Sequence, residues 1–412
     1  MPSISIAKSK PGFYENMVLN ALSKMTRGML SLTFPNGESV QIGNGESDFE
    51  ADIQVKYDEF FKCLVLYGDI GFGEAYVDGL WESKNITNVI KWVLLNIDNA
   101  PSVSGNKTKV LTLNLFKLLN RIYHNGRSNS ISGSQKNISE HYDLSNDFFA
   151  TFLDPTMTYS SGYFYKEGIS LLESQYAKYH RLCEQLCLKP TDHVLEIGSG
   201  WGANAIYMAQ HYGCKVTSVT ISKEQQQLAA LRVAEAGLSD RVQVLIQDYR
   251  EIQGQFDKIV SIEMLEAVGH NFYEEYFSKC NDLLKPAGIF AFQVITSPDS
   301  RYQSLRKGVD WIQKYIFPGS LLPSVGRINE AINNTSELTI VDLKDMGLDY
   351  AKTLQIWYDQ FNQNMADVKA LGYDETFIRK WRYYMNYCEA AFEMRNINVM
   401  QMVYVRPNNT ER

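Results

Sequence analysis

Three glycines and one carboxylate in the stretch HVLEIGSGWGANA, residues 193–205, are the first residues that could do chemistry. Gly198, Gly200 and Gly202 stand between an apolar, strand-like run and a helix-forming run, and Glu196 lies inside the strand. Glycines at a strand-to-helix turn let a ligand lie against bare backbone, because they carry no Cβ. That ligand could be a dinucleotide, a phosphate or S-adenosylmethionine. The alternative is a turn whose glycines serve only the tight packing of strand on helix.

The residues around the turn separate these ligands. Gly198, Gly200 and Ala203 satisfy the dinucleotide pattern GxGxxA, but that site also needs an acid about 20 residues further on, where this chain has Thr220. A phosphate loop would need Gly-Lys-Ser/Thr after the glycines, and the sequence lacks it. S-adenosylmethionine has no phosphate, and its methionine end needs close backbone and a nearby carboxylate such as Glu196. The pattern therefore favours S-adenosylmethionine.

Strand-like and helix-like segments alternate through the second half of the chain. Helices are predicted to end near Gly213, to begin at Ser222 and to span residues 273–284. This alternation predicts an α/β fold, a Rossmann-like parallel sheet flanked by helices, with ligands at the carboxyl ends of the strands. The predicted strands are residues 194–198, 215–221, 242–248, 256–264, 289–296, 338–343 and 398–405.

The first third of the chain has a different pattern. Residues 14–30 and 57–123 look helical, and residues 30–42 look like two short strands around a Pro-Asn-Gly turn. Residues 125–137 are rich in Gly, Ser and Asn, a composition typical of a flexible linker. The predicted division is a smaller, mostly helical N-terminal domain (1–124) for lipid binding or assembly, a linker (125–138), and a catalytic domain (139–412) with a lid insertion at about 298–330.

Composition excludes several classes of function. The net charge of −7 over 412 residues argues against nucleic acid as the main partner. Six cysteines lie scattered without zinc-type spacing, which predicts a reduced protein with no metal. The N-terminal residues lack a secretion signal, and no stretch approaches the roughly 20 apolar residues that cross a bilayer. We therefore predict a cytoplasmic protein that meets a membrane only peripherally.

Several segments past the linker occur together in one known family, in order and at the family's spacing. They are HYDLSNDFFATFLDPTMTYSSGYF (141–164), VLEIGSGWG (194–202), VTISKEQ (219–225), QDYRE (247–251), FDKIVSIEMLEAVG (256–269), WIQKYIFPGSLLPS (311–324), TLQIWYDQF (353–361) and YYMNYCEAAF (383–392). With these segments the chain resembles the cyclopropane fatty acid synthase family of S-adenosylmethionine-dependent enzymes. GFGEAYVDGLWES (71–83) also resembles the N-terminal domain of the longer, bacterial members.

The resemblance implies an enzyme that transfers a methylene unit from S-adenosylmethionine to the cis double bond of an unsaturated phospholipid acyl chain. The product would be a cyclopropane, formed through a carbocation. Such a reaction needs a dry site, negative or aromatic surfaces where charge develops, and a base within reach. The alternatives are a C-methyltransferase that leaves a methyl or methylene branch, a small-molecule N-methyltransferase, and a lipid-binding protein with a lapsed site.

The resemblance also assigns residues to the cofactor. Gln225 has a second interpretation, since Ser222 and Gln225 fit a helix capping box. The implied contacts are Gly198, Gly200 and Gly202 along the cofactor, Tyr159 and Ser160 at its methionine end, Thr220 and Gln225 at the ribose, and Asp248 and Tyr249 at the adenine.

The resemblance implies that the base of the reaction is a bound bicarbonate ion. Its ligands would here be Glu266, Ile295 and Tyr358, together with Ser161 where the family has Cys and Gln293 where it has His. Ser and Gln can still hydrogen-bond an oxyanion, but Gln cannot take up a proton. Two interpretations stay open: a retained bicarbonate in an altered cradle, or Glu266 or Glu263 acting as the base directly.

Two of the implied catalytic residues also fit a packing role. Tyr358 neighbours the apolar stripe of Leu354, Trp357 and Phe361, so it could be a core tyrosine. Cys388 aligns with a cysteine that is sometimes labelled catalytic in the family. It also continues a stripe at buried-helix spacing, and the mechanism needs no thiolate. That stripe is Phe377, Trp381, Tyr384, Cys388 and Phe392.

Residues 301–324 mix basic and large apolar side chains. One interpretation is a lid packed on its own core. The other is a gate over an acyl tunnel, with a basic rim that meets phospholipid headgroups. The partners implied are a phospholipid surface and an unsaturated acyl chain, and a homodimer is an option that the sequence leaves open. The basic residues are Arg301, Arg306, Lys307 and Lys314, and the apolar ones are Trp311, Tyr315, Ile316, Phe317 and Leu321.

Overall fold

The computed structural model describes residues 12–97 and 144–411 of the chain. They form two compact units, and the predicted linker, residues 125–138, lies outside the described residues. Of the described residues, unit 1 contains 12–97, 308–316 and 372–396, and unit 2 contains 144–307, 317–371 and 397–411.

Unit 1 combines helices with a four-stranded sheet in the order β2-β1-β3-β4. The predicted hairpin is present, since β1 pairs antiparallel with β2 on either side of the Pro-Asn-Gly turn. The sequence prediction missed β3, which pairs parallel with β1, and the short β4. The elements are α1 (Phe13–Leu22), β1 (Met29–Thr33), β2 (Ser39–Gly43), β3 (Glu50–Val55), α2 (Glu59–Val77), β4 (Trp81–Glu82) and α3 (Ile86–Leu95).

Two later segments complete unit 1, and this differs from the predicted domain boundary. Numbered along the whole chain, they are the helices α10 (Trp311–Tyr315) and α14 (Glu375–Glu393). Helix α14 packs against α2 and α3, and the Arg379 side chain donates to the Tyr76 carbonyl at 2.7 Å. The reason is the apolar face of α14, which includes the fully buried Trp381 and Tyr383. Burying that face places α14 in unit 1, although its sequence lies within residues 139–412.

Unit 2 contains a seven-stranded sheet in the order β10-β11-β9-β8-β5-β6-β7. Strands β5 to β9 run parallel, whereas β11 is antiparallel to both β9 and β10. The predicted α/β sheet is thus confirmed, and its strand order reverses at β5, where ligands of such folds bind. The strands are β5 (His193–Ile197), β6 (Lys215–Thr220), β7 (Val242–Ile246), β8 (Phe256–Ile262), β9 (Leu284–Thr296), β10 (Thr339–Asp345) and β11 (Asn398–Val405).

Helices cover both faces of this sheet. Leu195 and Val194, adjacent on β5, belong to separate buried apolar clusters, as alternating side chains of a doubly covered sheet must. The helices are α4 (Asn146–Ala150), α5 (Leu171–Gln185), α6 (Ala203–Tyr212), α7 (Lys223–Glu235), α8 (Tyr273–Leu283), α9 (Asp299–Leu305), α11 (Val325–Thr335), α12 (Gly347–Gln363) and α13 (Met365–Ala370).

Gly202 at the start of α6 is expected to be intolerant of any side chain. Its φ is +87°, and a Cβ there would lie 3.1 Å from the Ala229 Cβ on α7. Gly202→Ala should cost about 1–2 kcal/mol for the left-handed backbone, and about 1–3 kcal/mol more for the contact. Gly237→Ala is the control, since its φ of +69° carries the same backbone cost with nothing within 4 Å. If urea denaturation showed the same loss of unfolding free energy for both variants, the close contact at Gly202 would be contradicted.

Candidate active site

In the glycine turn after β5, close packing accounts for the glycine at position 202 but not for the glycine at position 200. Gly198, Gly200 and Gly202 all have positive φ, of +96°, +47° and +87°. The backbone N–H groups of Gly198 and Ser199 both donate to the Val219 carbonyl, which fixes the turn on β6. A Cβ on Gly202 would make a tight contact of 3.1 Å with α7, whereas a Cβ on Gly200 would meet nothing within 4 Å. Open space against the Gly200 backbone fits a ligand that lies along the turn.

Glu196 is buried and already hydrogen-bonded on both oxygens. Oε1 accepts from the Asn204 side chain at 2.8 Å, and Oε2 accepts from the Ser218 hydroxyl at 2.5 Å. Burial raises the pKa of Glu196 to about 7, against the effect of these two hydrogen bonds. Glu196 therefore holds α6 and β6 to the turn that carries the glycines.

The residues predicted at the ribose lie together at the end of β6. The Thr220 hydroxyl donates to Gln225 Oε1 at 3.0 Å, and the Gln225 N–H donates to the Ser222 hydroxyl at 3.2 Å. Only half of the predicted capping box is thus formed, because the Gln225 side chain contacts Thr220 and not the Ser222 backbone. A polar pair at the carboxyl end of β6 fits a hydroxyl-bearing ligand.

The residues predicted at the adenine follow β7. The Asp248 carboxylate accepts from Arg250 Nε at 2.8 Å and from Arg250 Nη2 at 2.7 Å. Burial acts against ionisation, but this bidentate pair outweighs it and lowers the pKa of Asp248. The neighbouring Tyr249 ring meets Tyr276 edge-on at 5.2 Å between centroids. These residues therefore offer a charged pair and an aromatic face at the sheet edge.

Tyr159 and Ser160 belong to a segment held by α5 and α12. The Tyr159 ring stacks on Trp357 at 5.2 Å between centroids and lies 5.2 Å from the Phe149 ring. The Ser160 hydroxyl contacts Lys178 Nζ at 2.7 Å. Lys178 is completely buried, and burial lowers its pKa to about 7, against the attraction of Glu263. A buried lysine below this segment was not predicted from the sequence.

Glu263, directly after β8, gathers three donors. Its Oε1 accepts from the Ser161 N–H at 3.0 Å and from Gln293 Nε2 at 2.7 Å, and its Oε2 accepts from the Tyr350 hydroxyl at 3.0 Å. Its φ of +49° is unusual for a residue with a side chain. Burial raises the pKa of Glu263, and the positive charge of Lys178 opposes that shift.

Glu266 is the second carboxyl group at this point of the sheet. Its Oε1 accepts from the Ile295 N–H at 2.5 Å, and its backbone carbonyl accepts from the Leu321 N–H at 2.9 Å. Its Oε2 is buried and has no hydrogen-bond partner among the residues that the structure describes. Burial, assisted by the charge of Glu263, raises the pKa of Glu266 to about 8, so this group is mostly protonated at neutral pH.

A chain of hydrogen bonds runs from Glu263 to the surface of unit 2. Gln293 Oε1 accepts from Gln401 Nε2 at 3.0 Å, and Gln401 Oε1 accepts from Arg181 Nη1 at 2.7 Å. Arg181 also pairs with Asp342 at 2.5 Å. Because a guanidinium only donates, it fixes the orientation of both amides, and the Gln293 amide nitrogen must face Glu263. We call these four residues, Gln293, Gln401, Arg181 and Asp342, the amide relay.

Gln401→Leu is expected to destabilise unit 2 by about 1–3 kcal/mol. The substitution leaves the buried Gln293 carbonyl without its donor and Arg181 without one acceptor. Chemical denaturation measures the loss. Gln253→Leu, on an exposed loop, is the control and should stay within about 0.5 kcal/mol of the wild type. A loss as small as that of the control would mean that Gln401 does not hold Gln293.

Two predicted catalytic residues, Tyr358 and Cys388, lie away from the hydrogen bonds around Glu263. Tyr358 lies on α12 beside the buried Trp357 and is itself partly exposed, off the buried stripe. Among the described residues it is the Tyr350 hydroxyl, from the same helix, that donates to Glu263. Cys388 lies on α14 in unit 1, while the other predicted site residues lie in unit 2. Burial raises the pKa of the Cys388 thiol, which fits the packing interpretation of this residue.

The predicted lid, residues 298–330, is divided between the two units. Trp311 is buried in unit 1, where its ring meets Tyr383 at 4.7 Å, and Lys314 pairs with Glu74 at 2.7 Å. These two residues therefore form no exposed basic and apolar rim. In unit 2 the end of the insertion is fixed at Leu321, whose carbonyl accepts from the Tyr273 hydroxyl at 3.1 Å.

Three contributors to the site escaped the sequence prediction: Lys178, Tyr350 and Gln401. Lys178 stands among Glu, Gln and Arg on an amphipathic helix, where a lysine is normally solvated. Gln401 carried a signal, because it is a polar residue inside the apolar strand NVMQMVYV. A buried amide in a central strand needs a partner, and that requirement pointed to a polar neighbour on the next strand.

The fold and the site define a class of enzyme. A sheet of this strand order, with a glycine turn after its first parallel strand and polar groups at the carboxyl ends, is that of the Rossmann-like S-adenosylmethionine-dependent methyltransferases. A mycolic acid cyclopropane synthase solved with SAH and CTAB is similar to this chain with a TM-score of 0.61 and 30% identity, over 66% of this chain and 97% of its own.

Sequence comparisons identify the family. The profile of the mycolic acid cyclopropane synthetase family matches residues 130–402. A cyclopropane-fatty-acyl-phospholipid synthase of Escherichia coli K12 is 40% identical over 86% of this chain and 88% of its own. A tuberculostearic acid methyltransferase of Mycobacterium tuberculosis is 36% identical over 94% of this chain and 91% of its own. The chain belongs to the mycolic acid cyclopropane synthetase family, and the predicted resemblance is confirmed.

Proposed function

We propose that this enzyme transfers a methylene unit from S-adenosylmethionine to the cis double bond of an unsaturated phospholipid acyl chain and forms a cyclopropane. The observation that carries the proposal is the pair of buried carboxyl groups, Glu263 and Glu266, at the strand-order reversal beside the glycine turn. Cyclopropane formation from an alkene needs a proton acceptor in a water-poor site, because it passes through a carbocation that water would capture, whereas methyl transfer to an amine forms no carbocation.

Each part of the site has a task in this reaction. S-adenosylmethionine, when bound, supplies a methyl carbon on a positively charged sulfur. The open space at Gly200 fits its methionine end, and Thr220 with Gln225 fits its ribose. The rings of Tyr159 and Trp357 offer aromatic faces toward developing positive charge. Apolar rings also exclude the water that would otherwise capture the acyl cation.

The proposed partner is the surface of a phospholipid membrane, from which the acyl chain enters. At the end of α9, Leu305, Arg306 and Lys307 are exposed together. Each cation close to an anionic lipid surface contributes about 1 kcal/mol of binding free energy. No helix among the described residues combines the length and apolarity needed to span a membrane. We therefore propose peripheral contact through the α9 end.

Product analysis tests the proposed function. Purified enzyme is incubated with S-adenosylmethionine and vesicles of a cis-monounsaturated phospholipid, and the acyl chains are examined by proton NMR. Upfield cyclopropyl protons are expected. Methyl-doublet or vinylidene signals in their place would overturn the proposal, and mass alone does not suffice because the ring and the unsaturated branch are isomers.

A C-methyltransferase is the second candidate, and one residue favours it. Gln293 stands where the resemblance implies a histidine, and an amide cannot relay a proton. A reaction without that relay could end in a branched chain, and the tuberculostearic acid methyltransferase is a relative over most of the chain. The same NMR spectra decide between the two products.

A further inference from the structure

Three of the groups that the resemblance assigns to a bicarbonate ion already donate to carboxylates of this chain. The Ser161 N–H and the Gln293 amide both donate to Glu263 Oε1, at 3.0 and 2.7 Å. The Ile295 N–H donates to Glu266 Oε1 at 2.5 Å. A separate oxyanion would have to displace both carboxylates from these donors. The residues present therefore do not fit a bicarbonate ion as an additional group.

We propose that the Glu263 carboxylate takes the place of that ion and is the general base of the reaction. This inference rests on the proposed function, because it concerns the proton that leaves the transferred carbon. Glu263 occupies the point where the donors converge, so the chain supplies its own oxyanion. The base is then a side chain of the enzyme itself, on the residue that directly follows β8, and the reaction requires no base from solution.

The position of Glu263 suits a base that acts on the transferred methyl group. It precedes Met264, whose side chain would lie 3.5 Å from a Cβ on Gly198, so this segment borders the glycine turn. It also follows β8, which pairs directly with β5. The strand order reverses between these two strands, and ligands of such sheets bind there.

Hydrogen bonding favours Glu263 over Glu266 as the ionised member of the pair. Three donors, from Ser161, Gln293 and Tyr350, point at the Glu263 oxygens, whereas one backbone donor points at Glu266. Donors stabilise the charged form of a carboxyl group, and two neighbouring carboxyls do not readily ionise together. Glu266 then remains the neutral partner, and Glu263 carries the negative charge.

The amide relay holds this arrangement in one orientation. Gln293 presents its amide nitrogen to Glu263, because its carbonyl oxygen accepts from Gln401 Nε2. Arg181 fixes Gln401 in that orientation by donating to the Gln401 carbonyl oxygen. A freely rotating amide would place its carbonyl against the carboxylate for part of the time. Gln401 and Arg181 are therefore positioning residues for the base, acting through Gln293.

The chemical step balances without a further reactant. The alkene's π electrons form a carbon–carbon bond to the methyl carbon as its bond to sulfur breaks, which leaves a cation on the acyl chain. Glu263 removes one proton from the new methyl group, and the electrons of that C–H bond close the ring. The products are the cyclopropane, S-adenosylhomocysteine and the protonated Glu263, which later loses its proton to water.

Three proteins test the assignment: the wild type, Glu263→Gln and Glu263→Gly. Glutamine keeps the shape without a basic oxygen, and glycine suits the positive φ of this position while removing the side chain. Glu235→Gln, at the exposed end of α7, is the control. Release of S-adenosylhomocysteine is followed with vesicle substrate in carbonate-free buffer and after addition of bicarbonate.

We expect a wild-type rate that does not respond to bicarbonate, and a loss of about 10²-fold or more in E263Q under both conditions. E263G should be slow without bicarbonate and should recover at least about 10-fold with it. A wild-type rate that rises several-fold with bicarbonate, or an E263Q rate close to that of the control, overturns the assignment.

Binding provides a readout that does not depend on turnover. Calorimetry with S-adenosylhomocysteine should give similar affinities for all four proteins, which shows that the variants are folded at the site. NMR with ¹³C-bicarbonate should detect binding to E263G and none to the wild type, and wild-type binding overturns the assignment. The product spectrum separately tests the proposed function. A branched product would refute ring formation, whereas the identity of the base is decided by the rate and binding measurements above.

Discussion

Replacing Glu196 by glutamine is expected to remove a large part of the pH dependence of folding. Burial raises the pKa of Glu196 from 4.5 to about 7. The native state therefore keeps a proton that the unfolded state releases, so the stability from this group is complete below pH 4.5 and is lost as the pH rises through 7. A shift of that size corresponds to about 3 kcal/mol. E196Q should gain this amount relative to the wild type between pH 4.5 and 7.

The substitution preserves the local hydrogen bonds. A glutamine can accept from Asn204 through its carbonyl oxygen and donate to the Ser218 hydroxyl through its nitrogen. Urea denaturation at a series of pH values gives the two stability curves, with Glu235→Gln as an exposed control that should match the wild type. Parallel curves for E196Q and the wild type would show that Glu196 is ionised in the native protein.

Trp357→Ala is expected to cost about 3–5 kcal/mol of folding free energy. Trp357 is fully buried on α12, and its ring contacts Tyr159, Phe152 and Tyr350 at centroid distances of 5.2, 6.0 and 6.0 Å. Removing the indole leaves a cavity that these rings can fill only in part. Because Tyr159 also loses its stacking partner, affinity for S-adenosylhomocysteine should fall as well.

Trp357→Phe is the matched control. It keeps an aromatic ring and removes an indole N–H that is buried without a partner among the described residues. Its cost should be less than half that of W357A, measured by the same denaturation experiment. A loss below about 1 kcal/mol for W357A would mean that the stacked rings do not support the site.

The sheet of unit 2 was predictable because its pattern is local and repeated. Strands β5, β6 and β11 lie within a residue of the predicted segments, since apolar runs bounded by Gly, Ser or charged residues define both ends. Unit 1 was harder. Its β3 carries Glu and Asp among its residues, and its last helix, α14, lies far along the chain. Local periodicity identifies a buried face but cannot indicate which distant element covers it.

The site was predictable to the level of residue types. The glycines, Glu196 and Thr220 lie at the carboxyl ends of β5 and β6 as expected, Gln225 lies in the first turn of α7, and Glu263 was a named alternative for the base. The contacts of Glu263 were not predictable, because they join four segments through Ser161, Gln293 and Tyr350. Lys178 escaped for the same reason, since its burial results from packing and not from its own helix.

The late position of α14 and β11 determines the order in which the chain can fold during synthesis. Helix α14 completes unit 1, and β11 lies between β9 and β10 in unit 2. Unit 1 cannot close its core until α14 has left the ribosome, and unit 2 cannot close its core until β11 has. About 300 residues separate the end of α3 from the end of α14. At about 5–20 residues per second the apolar faces of α2 and α3 therefore lack their final partner for roughly 15–60 s. A nascent chain of this enzyme therefore exposes these apolar faces until its last helix emerges.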